Sequence, residues 1–329
     1  MLKSYFVNIQ VRSAVIVLLL LSPLVSATET PRLAYLVSDV RIPFWSIMAG
    51  GAKQRAAELG FTLDVYSADN NARQELLNTV QALESDIAGL VVSPTNSSAA
   101  VTILELAAEA GVPVVIADIG TKAGKYVSYI QSDNEQGAYE LGLLLVKALE
   151  ARGWSQGGVG IVSIPQSRKN GQARTRGFVN ALKTSSFRMA GIRQQVDFSY
   201  EETYRFSREL IKDNSDLRAI WLQGSNRYQA ALDAIHDEGR EGDVLLICFD
   251  AEPEFIEMIR QKELVAAGMQ QPRLIGEKAV SSLDAHIKGD PVPSRQMLPV
   301  LAVSPDNVDE LLPLIHKNVL GLSIEQFND

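Results

Sequence analysis

Residues 33–66 read LAYLVSDVRIPFWSIMAGGAKQRAAELGFTLDVY. Leu33 to Val37 is a short apolar run of strand length. Trp45 to Leu59 then carries apolar residues at helical spacing and is stopped by Gly60, a residue suited to the left-handed turn that ends a helix. Phe61 to Tyr66 is a second run of strand length. The stretch therefore predicts strand, helix, strand, the unit from which parallel sheets are built.

The same alternation extends outward along the chain. A helix is predicted over 72–83, with Leu76, Leu77, Val80 and Leu83 on one stripe. Strands at 87–92 and 112–117 flank a helix at 99–110, and a longer helix follows at 134–152. A second set then begins. Strands are predicted at 159–163, 192–196, 219–222 and 244–249, and helices at 171–183, 201–212 and 228–238, with further helices at 253–261, 274–288 and 308–316. Two successive sets of this kind predict an α/β protein of two similar lobes, each a doubly wound parallel sheet covered by helices.

In such sheets ligands bind beyond the carboxyl ends of the strands. The residues just after the apolar runs are Ser38-Asp39, Ser93-Pro94-Thr95, Asp118, Pro165-Gln166, Gly224-Ser225-Asn226 and Asp250. One polar residue there could simply cap a helix. Six in register make a polar face.

The composition excludes several function classes. The chain has 329 residues, 46% hydrophobic and 21% charged, with 31 basic and 39 acidic residues and a net charge of −8. No basic block is present, so a nucleic-acid partner has no support. Residues 1–27 hold two charges, Lys3 and Arg12, then the apolar run AVIVLLLL at 14–21, then Val25-Ser26-Ala27. That order is the signature of a cleaved secretory signal peptide, with an uncleaved anchor as the competing reading. A mature chain would start at Thr28. No cysteine follows the cleavage point to carry a lipid, which points to a soluble protein of the periplasm. The single cysteine, Cys248, lies inside VLLICFD and reads as a buried strand thiol.

Catalytic readings find little to stand on. His236, His286 and His316 all fall in predicted helices away from the strand ends, so a nucleophile there lacks its base. No metal-ligand spacing occurs. Gly157-Gly158-Val159-Gly160 precedes its strand, whereas a dinucleotide loop follows one. No enzyme activity and no cofactor are expected.

The order and spacing of several stretches carry a resemblance. They are LVSDVRIPFW (36–45), SADNNARQE (67–75), VVSPTNSSA (91–99), PVVIADIG (113–120), SDNEQGAYELG (132–142), NGQARTRGF (170–178), ICFDAEPE (247–254) and GMQQPRLIGEKA (268–279). Together they resemble the periplasmic sugar-binding proteins of the ribose-binding type, across essentially the whole mature chain. The resemblance implies the type I periplasmic binding protein fold, with three crossings near Ser132-Asp133, Gln270-Gln271 and Leu298 to Leu301. It divides the chain into one lobe of residues 28–132 plus 271–297 and another of 133–270 plus 298–329. It also implies a monomer that closes on a sugar or sugar-like ligand and docks on a membrane ABC permease. A sensor kinase or chemoreceptor is the alternative partner.

By the same resemblance the ligand contacts are Ser38, Phe44, Trp45, Ser93, Asp118, Arg174, Phe198, Asp250 and Gln270. Phe44 and Trp45 would cover the C–H face of a sugar ring, with packing against a neighbouring helix as the competing reading. Asp118 and Asp250 would each accept from hydroxyls, unless they only cap helices. Arg174 would donate a planar fork to the ligand, unless it only makes a surface ion pair. Phe198 would press from the second lobe, and Gln270 would reach the ligand near a crossing. Three departures stand out. Ile42, Ile119 and Gly224 replace polar residues of the ribose binders. The site is therefore expected to favour a ligand less hydroxylated, bulkier or differently substituted than ribose.

Overall fold

The structure is a computed structural model that describes residues 30–322. The signal-peptide reading of residues 1–27 lies outside that span. The first lobe is entered by β1 (Arg32–Val37), α1 (Pro43–Glu58), β2 (Thr62–Ser67), α2 (Ala72–Leu83), β3 (Gly89–Ser93), α3 (Ala99–Glu109), β4 (Val114–Ala117) and β5 (Ser128–Ser132). The second lobe follows with α4 (Asn134–Ala151), β6 (Gly157–Ser163), α5 (Lys169–Leu182), β7 (Phe187–Gln194), α6 (Tyr200–Asp213), β8 (Leu217–Leu222), α7 (Tyr228–Asp237), β9 (Leu245–Phe249), α8 (Phe255–Arg260) and β10 (Ala267–Met269). The chain returns to the first lobe for α9 (Pro272–Ile287) and β11 (Arg295–Leu298). It ends in the second with β12 (Leu301–Val303), α10 (Val308–Leu314) and a π-helical turn, Ile315–Leu320.

Each lobe is one six-stranded sheet. The orders are β11-β5-β4-β3-β1-β2 and β12-β10-β9-β8-β6-β7. Every pairing is parallel except β10 with β12. The central strands β3, β4, β6 and β9 are buried at every residue, as strands covered on both faces must be. Three of the helices, α2, α4 and α6, start on side-chain caps. Asn71 accepts from the amides of Arg73 and Gln74, Asp133 from Gln136, and Ser199 from Glu202.

Four strands have no counterpart in the sequence reading: β5, β10, β11 and β12. They are short, and β5 (SYIQS) and β11 (RQML) are half polar. Pairing with a sheet already formed makes them strands, and no intrinsic pattern announces it. Strand β7 begins at Phe187, not at residue 192. It is an outer strand with exposed Arg188, Met189, Ile192 and Gln194, so it lacks a continuous apolar run.

The lobes share a packing device. In the first, α9 lies so close to α1 that a Cβ on Gly276 would collide with the Met48 carbonyl oxygen and sit 2.9 Å from the Ala52 nitrogen. In the second, a Cβ on Gly177 of α5 would collide with the Glu135 carbonyl oxygen of α4. Backbone meets backbone in both helix pairs, and only glycine fits.

Three segments connect the lobes: β5 to α4, β10 to α9, and β11 to β12. Gln271 ties the second of these to the third and to the final turn. Its Nε2 donates to the Pro299 carbonyl at 2.9 Å, and its Oε1 accepts from Asn318 Nδ2 at 2.8 Å. The final segment is thereby held at the crossings, while Val308, Ile315 and Val319 bury into the second lobe's core. Among the described residues, no helix is long and apolar enough to cross a membrane.

Replacing Gly276 by Ala forces the α1–α9 backbones apart. Urea unfolding should show a loss of about 1–3 kcal/mol, the usual range for overpacking. The same change at Gly50, where a Cβ meets nothing, should leave stability unchanged or slightly raised.

Candidate ligand-binding site

The carboxyl ends of both sheets face one another across a cleft. Its inner chamber is about 50 Å³ and is lined from the first lobe by Ile42, Phe44, Trp45 and Asp118. The second lobe and the crossing supply Arg168, Asn170, Arg174, Phe198, Asp250 and Gln270. Such a volume holds a few waters and is less than a sugar ring needs. Admitting a ring therefore requires the lobes to part.

Two aspartates occupy equivalent places. Asp118 follows β4 and Asp250 follows β9, with φ of 62° and 68°. Each donates its amide to the next strand of its own sheet, Asp118 to Ile130 and Asp250 to Gly268. The left-handed backbone turns each carboxylate out of the sheet and into the cleft. Asp tolerates that conformation better than most side chains.

Arg174 and Asp250 form a buried pair. Arg174 Nη1 lies 3.5 Å from Asp250 Oδ2 and 2.6 Å from the Gln223 carbonyl. Its Nε donates to Asn134 Oδ1 at 2.7 Å, and its guanidinium stacks on Phe249 at 4.0 Å. Gln270 Nε2 donates to the other Asp250 oxygen at 2.6 Å. Burial raises the Asp250 pKa, and Arg174 and Gln270 oppose that rise. Asp118 is pushed up to about 6, first by burial, with Arg174 working the other way. Its Oδ2 accepts from Asn170 Nδ2 at 3.1 Å, and its Oδ1 has no partner among the described residues. Gln270 Oε1 is also without one. Two buried acceptors thus remain unfilled in the chamber wall.

Aromatic surface covers the remaining walls. Phe44 and Trp45, in the first turn of α1, meet edge to face with centroids 4.9 Å apart. Phe198 faces them from the second lobe at φ 54°, a strained backbone for a bulky residue. Glu202 holds that turn by accepting from the amides of Val196, Asp197 and Phe198 at 2.8–3.0 Å.

Seven of the nine expected contacts line the chamber together. Ser38 and Ser93 do not. The Ser38 hydroxyl donates to the carbonyls of Ser93 and Pro94, and the Ser93 hydroxyl is bonded to Tyr35 and near Met48 sulfur. Both are fully buried within the first lobe. Their hydroxyls hold strand ends together, away from the chamber. Of the three departures, Ile42 and Gly224 line the chamber, whereas Ile119 is buried in the first lobe's core. None of the three histidines lines the cleft. The reading of Arg174 as a surface ion pair fails, since its side chain is 3% exposed.

Sequence reasoning missed Arg168 and Asn170. Arg168 crosses from the second lobe to the first. Its Nε donates to the Thr95 carbonyl at 3.0 Å, its Nη2 to Asn70 Oδ1 at 3.1 Å, and its guanidinium lies 5.5 Å from the Phe198 ring. Thr95 also donates its amide and hydroxyl to Glu75, whose carboxyl is driven up to about 7 by burial. Both missed residues come a few positions after the β6 strand end. The strand-end rule would have reached them had it been carried further along that loop.

A family model described as a periplasmic binding protein domain matches residues 33–291. The chain belongs to this family. It is 29% identical over 283 residues to the ribose import binding protein RbsB of Haemophilus influenzae, covering 86% of this chain and 94% of that one. A carbohydrate transporter solute-binding protein from Agrobacterium radiobacter, solved with D-arabinose, superposes with a TM-score of 0.81 at 20% identity, over 89% of this chain and all of that one. An ABC transporter solute-binding protein from Actinobacillus succinogenes, solved with D-allose, gives 0.78 at 21% identity, over 85% and 99%. The two lobes are those of a type I periplasmic binding protein of the ribose-binding type.

The raised Asp118 pKa fixes the sign of a pH effect. The folded state holds a proton there between about pH 4 and 6 that the unfolded chain has released, so this group's contribution is full below pH 4 and is lost as pH rises through 6. Asp118→Asn should therefore be more stable than the parent at pH 7.5, by up to about 3 kcal/mol for a shift near two units. The advantage should vanish near pH 4. Urea midpoints across that range test it, and a difference independent of pH would contradict it.

Proposed function

We propose that this protein captures a sugar or sugar-like molecule between its lobes and delivers it to a membrane ABC importer, without chemistry. One observation carries the reading. Two buried acceptors lacking partners, Asp118 Oδ1 and Gln270 Oε1, stand beside the Arg174–Asp250 pair in a chamber walled by Phe44, Trp45 and Phe198. Sugars offer C–H faces to rings and hydroxyl donors to such oxygens. The ligands named for the solved relatives, D-arabinose and D-allose, are of this class.

In this reading the protein is a periplasmic monomer, exported with removal of residues 1–27. One rigid lobe is 28–132 plus 271–297, the other 133–270 plus 298–329, and they swing about the three crossings. Ligand contacts from both lobes favour the closed form, by no more than the ligand's differential affinity for it. The closed pair of lobes is what the importer reads. Ser38 and Ser93 are set aside as contacts, and Arg168 and Asn170 take their place. Ile42 and Gly224 offer no side-chain partner to a hydroxyl, so ribose itself binds weakly.

A thermal-shift screen against pentoses, hexoses, deoxysugars and polyols tests this. A true ligand at a hundredfold excess over Kd stabilises by about 2.7 kcal/mol. Asp250→Ala should abolish the shift. Asp250→Asn, which leaves Arg174 a neutral partner, should reduce it while keeping the fold. A screen without any shift, or tight ribose binding by calorimetry, would contradict the sugar reading or the ribose reading respectively.

A further inference from the structure

The chamber does not end at Ile42, Phe198 and Asn226. These three residues also line a second cavity of about 690 Å³ that lies between the lobes, further out along the same cleft. The outer cavity is far larger than the chamber and adjoins it at those three shared residues.

Its lining differs in chemistry. Arg41, Arg73 and Arg227 face Asp39, Asp69 and Asp197, so cations and anions balance. Asp39 is spent on Arg41, through two bonds of 2.7–2.8 Å. Asp69 accepts from the Ser67 hydroxyl at 2.7 Å and lies 4.0 Å from Arg41, leaving its second oxygen to bond. The Arg73 guanidinium and the Asp197 carboxylate make no hydrogen bond or ion pair among the described residues. Arg227 bonds only to the carbonyls of Phe198 and Asn226. A balanced set of free donors and acceptors suits a neutral, hydroxyl-bearing group. A phosphate or a free carboxylate would meet Asp69 and Asp197 as well as the arginines.

The shared wall is also distinctive. Ile42 cannot hydrogen-bond a hydroxyl, so the part of a ligand passing it needs no partner there, as an ether oxygen or a C–H group would not. Three residues with left-handed backbones line the outer cavity: Asp69, Asn70 and Phe198. Such strain persists only where surrounding structure imposes it, as Glu202 does at Phe198. The strained turn puts the Phe198 ring at the junction, where it lines both spaces with the Arg168 guanidinium over it at 5.5 Å.

We infer that the ligand is a glycoside: a sugar ring in the chamber, joined past Ile42 to a neutral, hydroxylated group that occupies the outer cavity. This rests on the sugar reading proposed above and narrows it. The chemical class is a disaccharide or a polyol glycoside.

Calorimetric titration separates the two readings. D-Ribose, D-allose and D-galactose are each compared with their glycerol glycoside and with a disaccharide carrying that sugar as its non-reducing ring. At least one conjugate should bind tenfold or more tightly than its parent sugar. Arg73→Ala should erase most of that gain, and Val196→Trp should block the conjugate by filling the outer cavity. Neither residue touches the chamber, and both are exposed, so the parent sugar's affinity should stay unchanged. If every conjugate binds no better than its parent, the glycoside inference falls and the sugar reading stands. If nothing binds, both fall. If the variants weaken parent and conjugate alike, the outer cavity is not a separate part of the site, and the inference falls.

Discussion

A charge placed out of reach of water must be met by the protein, and the Arg174–Asp250 pair is where this fold meets that demand. Arg174 is fixed by Asn134, the Gln223 carbonyl and the Phe249 ring before it touches the carboxylate. Those partners come from α4, the end of β8 and β9, so the arginine depends on the correct assembly of the second lobe. Removing one member of such a pair strands the other, which is costlier than never having built it. Asp250 in turn orients Gln270, which sits on a crossing between lobes. The chamber's polarity, the crossing's position and the second lobe's core therefore stand or fall together.

The first lobe solves the same problem differently. Asp118 has no arginine within bonding distance. It has one amide, Asn170, donated from across the cleft. Its unsatisfied oxygen is a cost the closed form carries, which a hydroxyl donor can remove. Arg168 adds bonds from the second lobe to Thr95 and Asn70, independent of any ligand. The contact between the lobes is thus partly made by the protein itself, and in the reading proposed above the rest falls to a ligand at Asp118 and Gln270.

Much of this was legible in the sequence, for physical reasons that differ by element. Strands β1, β3, β4, β6, β8 and β9 are buried on both faces, so they wrote themselves as apolar runs. Asp118 and Asp250 were legible because parallel sheets put their sites at strand ends. The short strands β5, β10, β11 and β12 were not, since their partners make them strands. Ser38 and Ser93 share the strand-end position with Asp118, but a hydroxyl is short enough to be consumed by neighbouring carbonyls, and sequence cannot say which way it turns. Arg168 was hidden for the opposite reason. Its long side chain acts several ångströms from its place in the chain, on a lobe that sequence distance does not connect to it.

Gln271 holds the Pro299 carbonyl on one side and Asn318 on the other, so two of the three connecting segments and the closing turn share a single pin. Segments joined in this way cannot slip past one another along their length. In the closing motion proposed above, such a pin favours the swing of a door on its axle over free movement on three tethers. A swing confined to one angle has few wrong turnings.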